Sequence, residues 1–129
     1  MNLPDYTNCT LCPRMCHVNR SVTIGYCGFC GMTSEVMAAR AALHFWEEPC
    51  ISGTEGSGAV FFSGCTLRCC FCQNSLLSKD HFGKKLTVNE LGDAFLRLQD
   101  KGAYNINLVT PTQFFPDIIK ALDLVRHKL

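Results

Sequence analysis

Cysteine is the residue type whose number and spacing in this sequence best indicate chemistry. The chain has ten cysteines, and nine of them fall in two short groups. The first group comprises Cys9, Cys12, Cys16, Cys27 and Cys30, and the second comprises Cys65, Cys69, Cys70 and Cys72. The sequence begins MNLPDYTNCT, which lacks a basic segment followed by an apolar one, so no export signal is predicted. In a reducing compartment, closely spaced thiols indicate metal or redox chemistry in preference to disulfides.

The second group has the ligand spacing of an open metal cluster. Cys65, Cys69 and Cys72 follow the pattern C-x3-C-x2-C, which lets one loop bring three sulfurs to a common centre. Cys70 adjoins Cys69, and adjacent side chains usually diverge, so Cys70 is predicted to be spare and packed as a small apolar residue. Three thiolates leave one iron of a four-iron cluster without a protein ligand, because full ligation takes four. The alternative is a zinc knuckle that uses all four thiols.

The first group predicts a second, closed site. Cys9, Cys12 and Cys16 form a C-x2-C-x3-C set, and either Cys27 or Cys30 can supply a fourth thiolate. Both zinc and an auxiliary iron–sulfur cluster suit such a site. Residues 1–31 show no sustained apolar period, so we expect this segment to need a metal in order to fold.

The elements that must position the second group are those of a parallel α/β domain. Residues 59–63 read as a buried strand that ends just before Cys65. Thr87 and Glu90 form a capping box at the start of an amphipathic helix, and Ile106–Val109 reads as a second buried strand. Pro116 starts a further helix, with Ile118, Leu122, Val125 and Leu129 predicted on one face. Two such strand and helix units predict parallel pairing through a crossover connection.

The second cysteine group and its flanking segments resemble a known family. The segment FFSGCTLRCCFCQN is similar to the cluster loop of the radical S-adenosylmethionine (radical SAM) superfamily. Together with the flanking ARAALHFWEEPCISGTEGSGAVFFSGC and NINLVTPTQF, it resembles the pyruvate formate-lyase activating-enzyme-like branch. The resemblance runs from Cys9 to the last helix. It implies an incomplete radical SAM partial TIM barrel, of which this chain supplies the first two βα units after a cysteine-rich N-terminal extension.

The resemblance also implies cofactors and partners. Cys65, Cys69 and Cys72 would hold a [4Fe-4S] cluster, and S-adenosylmethionine would chelate its fourth iron. An electron from a donor such as flavodoxin or ferredoxin would then cleave S-adenosylmethionine to methionine and a 5′-deoxyadenosyl radical. In an activating enzyme that radical removes hydrogen from a glycine of a partner, a glycyl-radical protein.

Four further residues are candidate contacts to S-adenosylmethionine. Phe71 lies where the family usually has an aromatic residue near the adenine, although filling the core is an equal alternative. Many family members carry a GGE-type stretch after the second strand, and here that place holds LVTPTQ. Thr110, Thr112 or Gln113 can substitute for it, or the segment can be an ordinary strand-end turn.

Other residues with reactive side chains are assigned structural roles. His44, Glu47 and Glu48 are expected to flank a buried Trp46, and an acid–base or metal-binding group is the less favoured alternative. Cys50 is expected to be buried. Asn74 is expected to cap the helix that follows the second cysteine group.

Composition limits the remaining possibilities. The chain has 129 residues, 47% of them hydrophobic, and a formal net charge of +1, which suits one modest domain and favours neither nucleic acid nor an acidic membrane as a partner. No apolar run is long enough to span a bilayer, so a cytoplasmic location is predicted. We expect a cysteine-rich extension at 1–57 and a truncated radical SAM core at 58–129. The competing hypotheses are a non-catalytic iron–sulfur carrier and a zinc-binding interaction module.

Overall fold

A computed structural model of the protein describes residues 5–21 and 27–129. Its described elements are β1 (Val36–His44), α1 (Pro49–Ser52), β2 (Ser57–Phe62), α2 (Ser75–Ser78), β3 (Lys84–Leu86), α3 (Val88–Asp100), β4 (Ile106–Val109), a 3₁₀ turn (Thr112–Phe114) and α4 (Phe115–Val125). The four strands form one mixed sheet in the order β3-β1-β2-β4. The protein is therefore an α/β protein with an open sheet whose described edges are β3 and β4.

The predicted parallel unit is present. β2 and β4 pair in parallel, with α3 in the connection between them, and β4 has the predicted bounds. β2 begins two residues before the predicted strand and ends one residue before its predicted end. These strands place the second cysteine group directly after the carboxyl end of β2.

Strand β1 was not predicted from the sequence. It pairs antiparallel with both β2 and β3. Its sequence, VMAARAALH, is rich in alanine, which has a low strand propensity, and it lacks a clean alternation of apolar and polar residues. β1 precedes the predicted boundary at residue 57 yet belongs to the same sheet as β2, so this sheet connects the two predicted segments.

The two long helices form as their capping and apolar patterns predict. The Thr87 hydroxyl accepts from the Glu90 backbone N–H, and the Glu90 carboxylate accepts from the Thr87 N–H at 2.8 Å. The apolar side of α3 is fully buried at Leu91, Phe95 and Leu98.

The predicted apolar face of α4 is correct at only two of its four positions. Pro116 lies in the first turn of the helix, and Ile118 and Val125 are buried. Leu122 is 37% exposed, and Leu129 lies beyond the end of the helix and is 45% exposed. The core therefore covers one side of α4 along its length, and the opposite side is exposed.

The two faces of the sheet have different roles. Val60 and Phe62 of β2 belong to the core formed with α3 and α4. Because strand side chains alternate, Ser57, Ala59 and Phe61 point to the other face, where they line a cavity of about 490 Å³. The sheet thus separates a packed helical side from an open, partly polar side.

A β-bulge in β1 contributes to the open side. The pairing with β2 shifts between Ala38, which lies opposite Phe62, and Arg40, which lies opposite Phe61. One extra residue reverses the side to which the following residues point. Ala38 therefore joins the core, whereas Arg40 and His44 line the cavity. Among the described residues, no helix is both long enough and apolar enough to cross a membrane.

The capping box gives a direct test of the fold. Thr87→Ala removes the hydroxyl that accepts from the Glu90 N–H, and we expect the free energy of unfolding to fall by about 1 kcal/mol. Chemical denaturation measures this loss. Thr87→Ser keeps the acceptor and should remain close to the parent, and an equal loss in both variants would contradict the capping role.

Candidate metal centre

The loop that carries the second cysteine group begins with a tight contact at Gly64. Its φ of +75° lies in the left-handed region that favours glycine. A Cβ at this position would lie 2.2 Å from Met32 Cγ and 3.0 Å from the Cys30 carbonyl oxygen. The loop therefore leaves β2 in direct contact with the segment that carries the first cysteine group.

Two of the three predicted ligands share a cavity. Cys65 and Cys72 line a pocket of about 60 Å³ together with Val109 and Thr110 at the carboxyl end of β4. Cys69 is half-buried, and its carbonyl oxygen accepts from the Cys72 N–H at 3.2 Å, so the loop curls between these two ligands. Within residues 5–21 and 27–129, no three His, Cys, Asp or Glu side chains are close enough together to hold a metal ion as they stand.

The surroundings of Cys65 favour the thiolate. Burial raises the pKa of this thiol, but hydrogen bonds from the backbone N–H groups of Arg68 and Leu67 and from the Thr110 hydroxyl lower it, as does the Arg68 charge. The pKa of Cys65 is lowered overall. A metal-binding thiol must lose its proton, so these contacts favour the form of Cys65 that metal binding would require.

Cys72 receives a hydrogen bond that sequence reasoning missed. The Ser78 hydroxyl, which is buried at the end of α2, donates to Cys72 Sγ at 3.6 Å. Ser78 follows Cys72 by six residues, and only the return of the chain through α2 brings it back to the thiol. A serine in a short helical turn gives no sequence signal for this contact.

Several predicted environments are wrong. Cys70 is exposed and is not packed as an apolar residue, and Cys50 is also exposed. Phe71 is 86% exposed, so it does not fill the core. Trp46 is 99% exposed with φ of +69°, because the turn after β1 directs it outward. Asn74 occupies the N-cap position of α2 without a side-chain capping bond, and its side chain lines the 490 Å³ cavity.

His44 and Glu47 contact each other directly. His44 Nδ1 lies 2.9 Å from Glu47 Oε1, and both side chains are partly exposed. Both residues line the 490 Å³ cavity. They therefore belong to the open side of the sheet and do not flank a buried tryptophan.

Three residues of the strand-end segment LVTPTQ lie in different environments. Thr110 lies in the cavity of Cys65, as described above. Thr112 is half-buried at the start of the 3₁₀ turn and does not line that cavity. Gln113 is buried, and its Nε2 donates to the carbonyl oxygens of Ser63 and Gly64 at 3.0 Å each. The end of β4 is thereby tied to the start of the cysteine loop.

The first cysteine group lies next to this loop and lines a cavity that includes Thr66. All five predicted thiols, namely Cys9, Cys12, Cys16, Cys27 and Cys30, line one small cavity. Burial raises the pKa of Cys30, and the nearby charges of Cys9 and Cys12 act in the same direction while Arg20 opposes them. Arg20 and Gln113 line the same cavity, and Arg20 was not identified from the sequence.

Comparison with known proteins adds one relative. No protein-family model matches the chain, and no solved structure matches it with statistical support. An uncharacterized protein of Methanocaldococcus jannaschii, MJ0674, is 33% identical over 126 residues, covering 91% of this chain. The match covers 35% of the relative, so this chain spans about a third of its length.

The Cys65 environment predicts a pH dependence. With its pKa below the ordinary value of 9.0, Cys65 holds fewer protons in the folded state than in the unfolded chain between the two pKa values. Its contribution to stability is therefore fully present above the unfolded pKa and lost as the pH falls through the folded pKa. The ultraviolet absorbance of thiolates can be followed in metal-free protein as the pH rises. We expect the part of this absorbance that is missing in Cys65→Ser to develop below pH 9.0. Thr110→Val should shift that transition to higher pH, and an unshifted transition would exclude the hydroxyl contact.

The Gln113 amide predicts a stability effect. Gln113→Leu leaves the carbonyl groups of Ser63 and Gly64 buried without this donor, and we expect the free energy of unfolding to fall by about 2 kcal/mol. Denaturant unfolding gives the value. Gln99→Leu, which removes an exposed amide, serves as the control and should cost less than half as much.

Proposed function

We propose that this chain contains the cluster-binding part of a radical SAM enzyme, with Cys65, Cys69 and Cys72 as the ligands of a [4Fe-4S] cluster. One observation carries the proposal: Cys65, Cys72 and the Thr110 hydroxyl meet at the carboxyl ends of the parallel strands β2 and β4. Parallel α/β proteins place their active sites at that edge of the sheet.

The chemistry of the donors fits this group. Thiolates are the usual protein ligands of iron–sulfur clusters, and the lowered pKa of Cys65 favours the required form. Ser78 donates to Cys72 Sγ and so supplies the kind of hydrogen bond that tunes such clusters. Cys70 is exposed, whereas Cys65 is buried and Cys69 and Cys72 are half-buried, which is consistent with three ligands.

When bound, the cluster would supply the electron that cleaves S-adenosylmethionine to methionine and a 5′-deoxyadenosyl radical. The residues of this chain would hold the cluster and shield it from water. Burial of Cys65 and the tie from Gln113 to the loop support the shielding and positioning roles.

The cavity on the open face of the sheet supports a binding role. Its volume of about 490 Å³ lies in the range of small-molecule sites, and Gln73 and Asn74 connect its wall to the cysteine loop. Arg40 offers a cation for a carboxylate, and Asn107 offers an amide. We assign S-adenosylmethionine to this space, with Phe71 and Thr112 as more distant candidate contacts.

The finer proposal is an activating enzyme whose hydrogen donor is a glycine of a partner, a glycyl-radical protein. It rests on the resemblance of HFWEEPCISG and its surroundings to that branch, and it includes flavodoxin or ferredoxin as the electron donor. It also includes a partial TIM barrel, in which a further parallel strand pairs along the outer edge of β4. The edge position of β4 and the open face of the sheet support this extension.

Cluster binding can be tested with cysteine variants. In protein that is reconstituted anaerobically and then chemically reduced to the paramagnetic [4Fe-4S]1+ state, we expect Cys65→Ala, Cys69→Ala and Cys72→Ala each to abolish the electron paramagnetic resonance signal of the cluster. Cys70→Ala is the matched control and should keep it. Loss of the signal in Cys70→Ala alone would refute the ligand assignment.

Addition of S-adenosylmethionine separates an enzyme from an electron carrier. We expect it to change the spectrum of the reduced cluster, because it would bind the iron that lacks a protein ligand. An unchanged spectrum would favour the non-catalytic carrier.

The incomplete barrel predicts a further result. The isolated chain should associate in size-exclusion chromatography and should produce little 5′-deoxyadenosine. Efficient cleavage of S-adenosylmethionine by a monomer would contradict the partial barrel.

A further inference from the structure

We propose that the first cysteine group binds one zinc ion through Cys9, Cys12, Cys27 and Cys30, and that this zinc-bound segment braces the loop of the second group. The proposed zinc site is separate from the [4Fe-4S] site of the proposed function. The bracing role rests on that proposed function, whereas zinc binding itself does not.

The ligand choice follows from pairing and packing. Cys9 with Cys12, and Cys27 with Cys30, form two C-x2-C pairs, a spacing typical of zinc sites. The second pair lies on a turn in which the Gly31 N–H donates to the Gly28 carbonyl oxygen at 3.1 Å.

Cys16 is the thiol outside both pairs. A Cβ at Gly28 would lie 3.3 Å from Cys16 Sγ and 3.2 Å from Val18 Cγ2, so Cys16 packs beside Val18 against this turn. This is the environment of a small apolar residue. We therefore assign Cys16 a packing role.

The buried charge of Arg20 points to an anionic occupant. Arg20 is only 1% exposed, and its guanidinium donates to the carbonyl oxygens of Met32, Thr33 and Gln113 at 2.7–2.8 Å. Its Nη1 also donates to Cys9 Sγ at 3.6 Å. Among the described residues, no carboxylate forms an ion pair with it. The Arg20 guanidinium also lies 5.0 Å from the centroid of the Tyr6 ring. Neither this ring nor the carbonyl groups carry a full negative charge, and an anionic partner would stabilise the buried cation further.

Four thiolates around a zinc ion would supply that charge. Zn²⁺ with four thiolates has a net charge of −2, and Arg20 already contacts one of the proposed ligands. The four proposed ligands line a common cavity, so zinc binding would require their sulfurs to move closer together than they lie in this structure. The cavity is small, which suits a single ion better than the larger volume of an iron–sulfur cluster.

Three contacts join this segment to the cluster loop. Arg14 Nε donates to the Thr66 carbonyl oxygen at 3.0 Å. The Phe29 ring, between the two ligands of the second pair, contacts the guanidinium groups of both Arg14 and Arg68, at 3.8 and 5.5 Å from its centroid. Arg20 donates to Gln113, whose amide holds the start of the loop. A metal that orders the segment would therefore restrain the loop.

The decisive experiment removes the second group first. In a chain carrying Cys65→Ala, Cys69→Ala and Cys72→Ala together, we expect elemental analysis to find about one zinc per chain, as one four-thiolate site requires. Adding Cys9→Ala or Cys30→Ala should abolish zinc binding. Adding Cys16→Ala, or Cys50→Ala at an exposed cysteine, should leave it unchanged.

Several outcomes would overturn the proposal. Absence of zinc from the triple variant would exclude the site, and iron with sulfide in its place would exclude zinc as the occupant. The ligand set would be refuted if adding Cys16→Ala to the triple variant removed zinc while adding Cys27→Ala left zinc bound. Because the triple variant lacks the proposed ligands of the [4Fe-4S] cluster, none of these results depends on whether that cluster forms.

The roles of Arg20 and of bracing have their own measurements. In competition with a chelator, Arg20→Met should bind zinc about 10–100-fold more weakly, and Arg20→Lys should recover part of the affinity because it keeps the charge. Equal affinities in the parent and both variants would refute the role of the charge.

In the parent, removal of zinc by a chelator should accelerate hydrogen exchange at residues 63–68 and leave α3 unchanged. Unchanged exchange at 63–68 would refute bracing.

Discussion

The buried amide of Gln113 is the contact on which the arrangement of both cysteine groups depends. Its side chain fixes the two carbonyl groups that precede Cys65, and its backbone carbonyl accepts from Arg20 beside Cys9. Gln113, which lies beyond the end of β4, therefore links the loop of the second cysteine group to the N-terminal thiols. Its Oε1 is buried without a partner within the described part of the chain, so the amide is held by its donor side. Buried polar contacts of this kind specify one arrangement because unpaired alternatives are costly.

The sheet gives the site its second constraint. The parallel pairing of β2 with β4 brings the residue after one strand, Thr110, to the thiol after the other, Cys65. On the face away from α3 and α4, the bulge in β1 turns Arg40 and His44 toward the open cavity. The proposed cluster site and the proposed binding cavity thus lie at one edge and on one face of the same sheet, and Asn74 lies where they adjoin.

An arginine lies close to a thiol in each cysteine group. Arg20 is buried beside Cys9, while Arg68 lies in the cluster loop and lowers the pKa of Cys65. Arg14 and Arg68 both contact the Phe29 ring, so these two cations help to hold the two segments against each other.

The sequence by itself determined the features that depend on neighbouring residues. The capping box of α3, the buried run of β4 and the position of Cys65 just after a strand follow from local propensity and spacing, and the structure contains them. The structure alone decided the features that depend on distant contacts. Alanine-rich β1 becomes a strand because β2 and β3 supply its hydrogen bonds, and the Arg20 charge is buried because carbonyls from remote segments converge on it. Phe71 and Trp46 are exposed for a related reason: hydrophobicity gives a tendency toward burial, but the path of the backbone decides which apolar side chains reach the core.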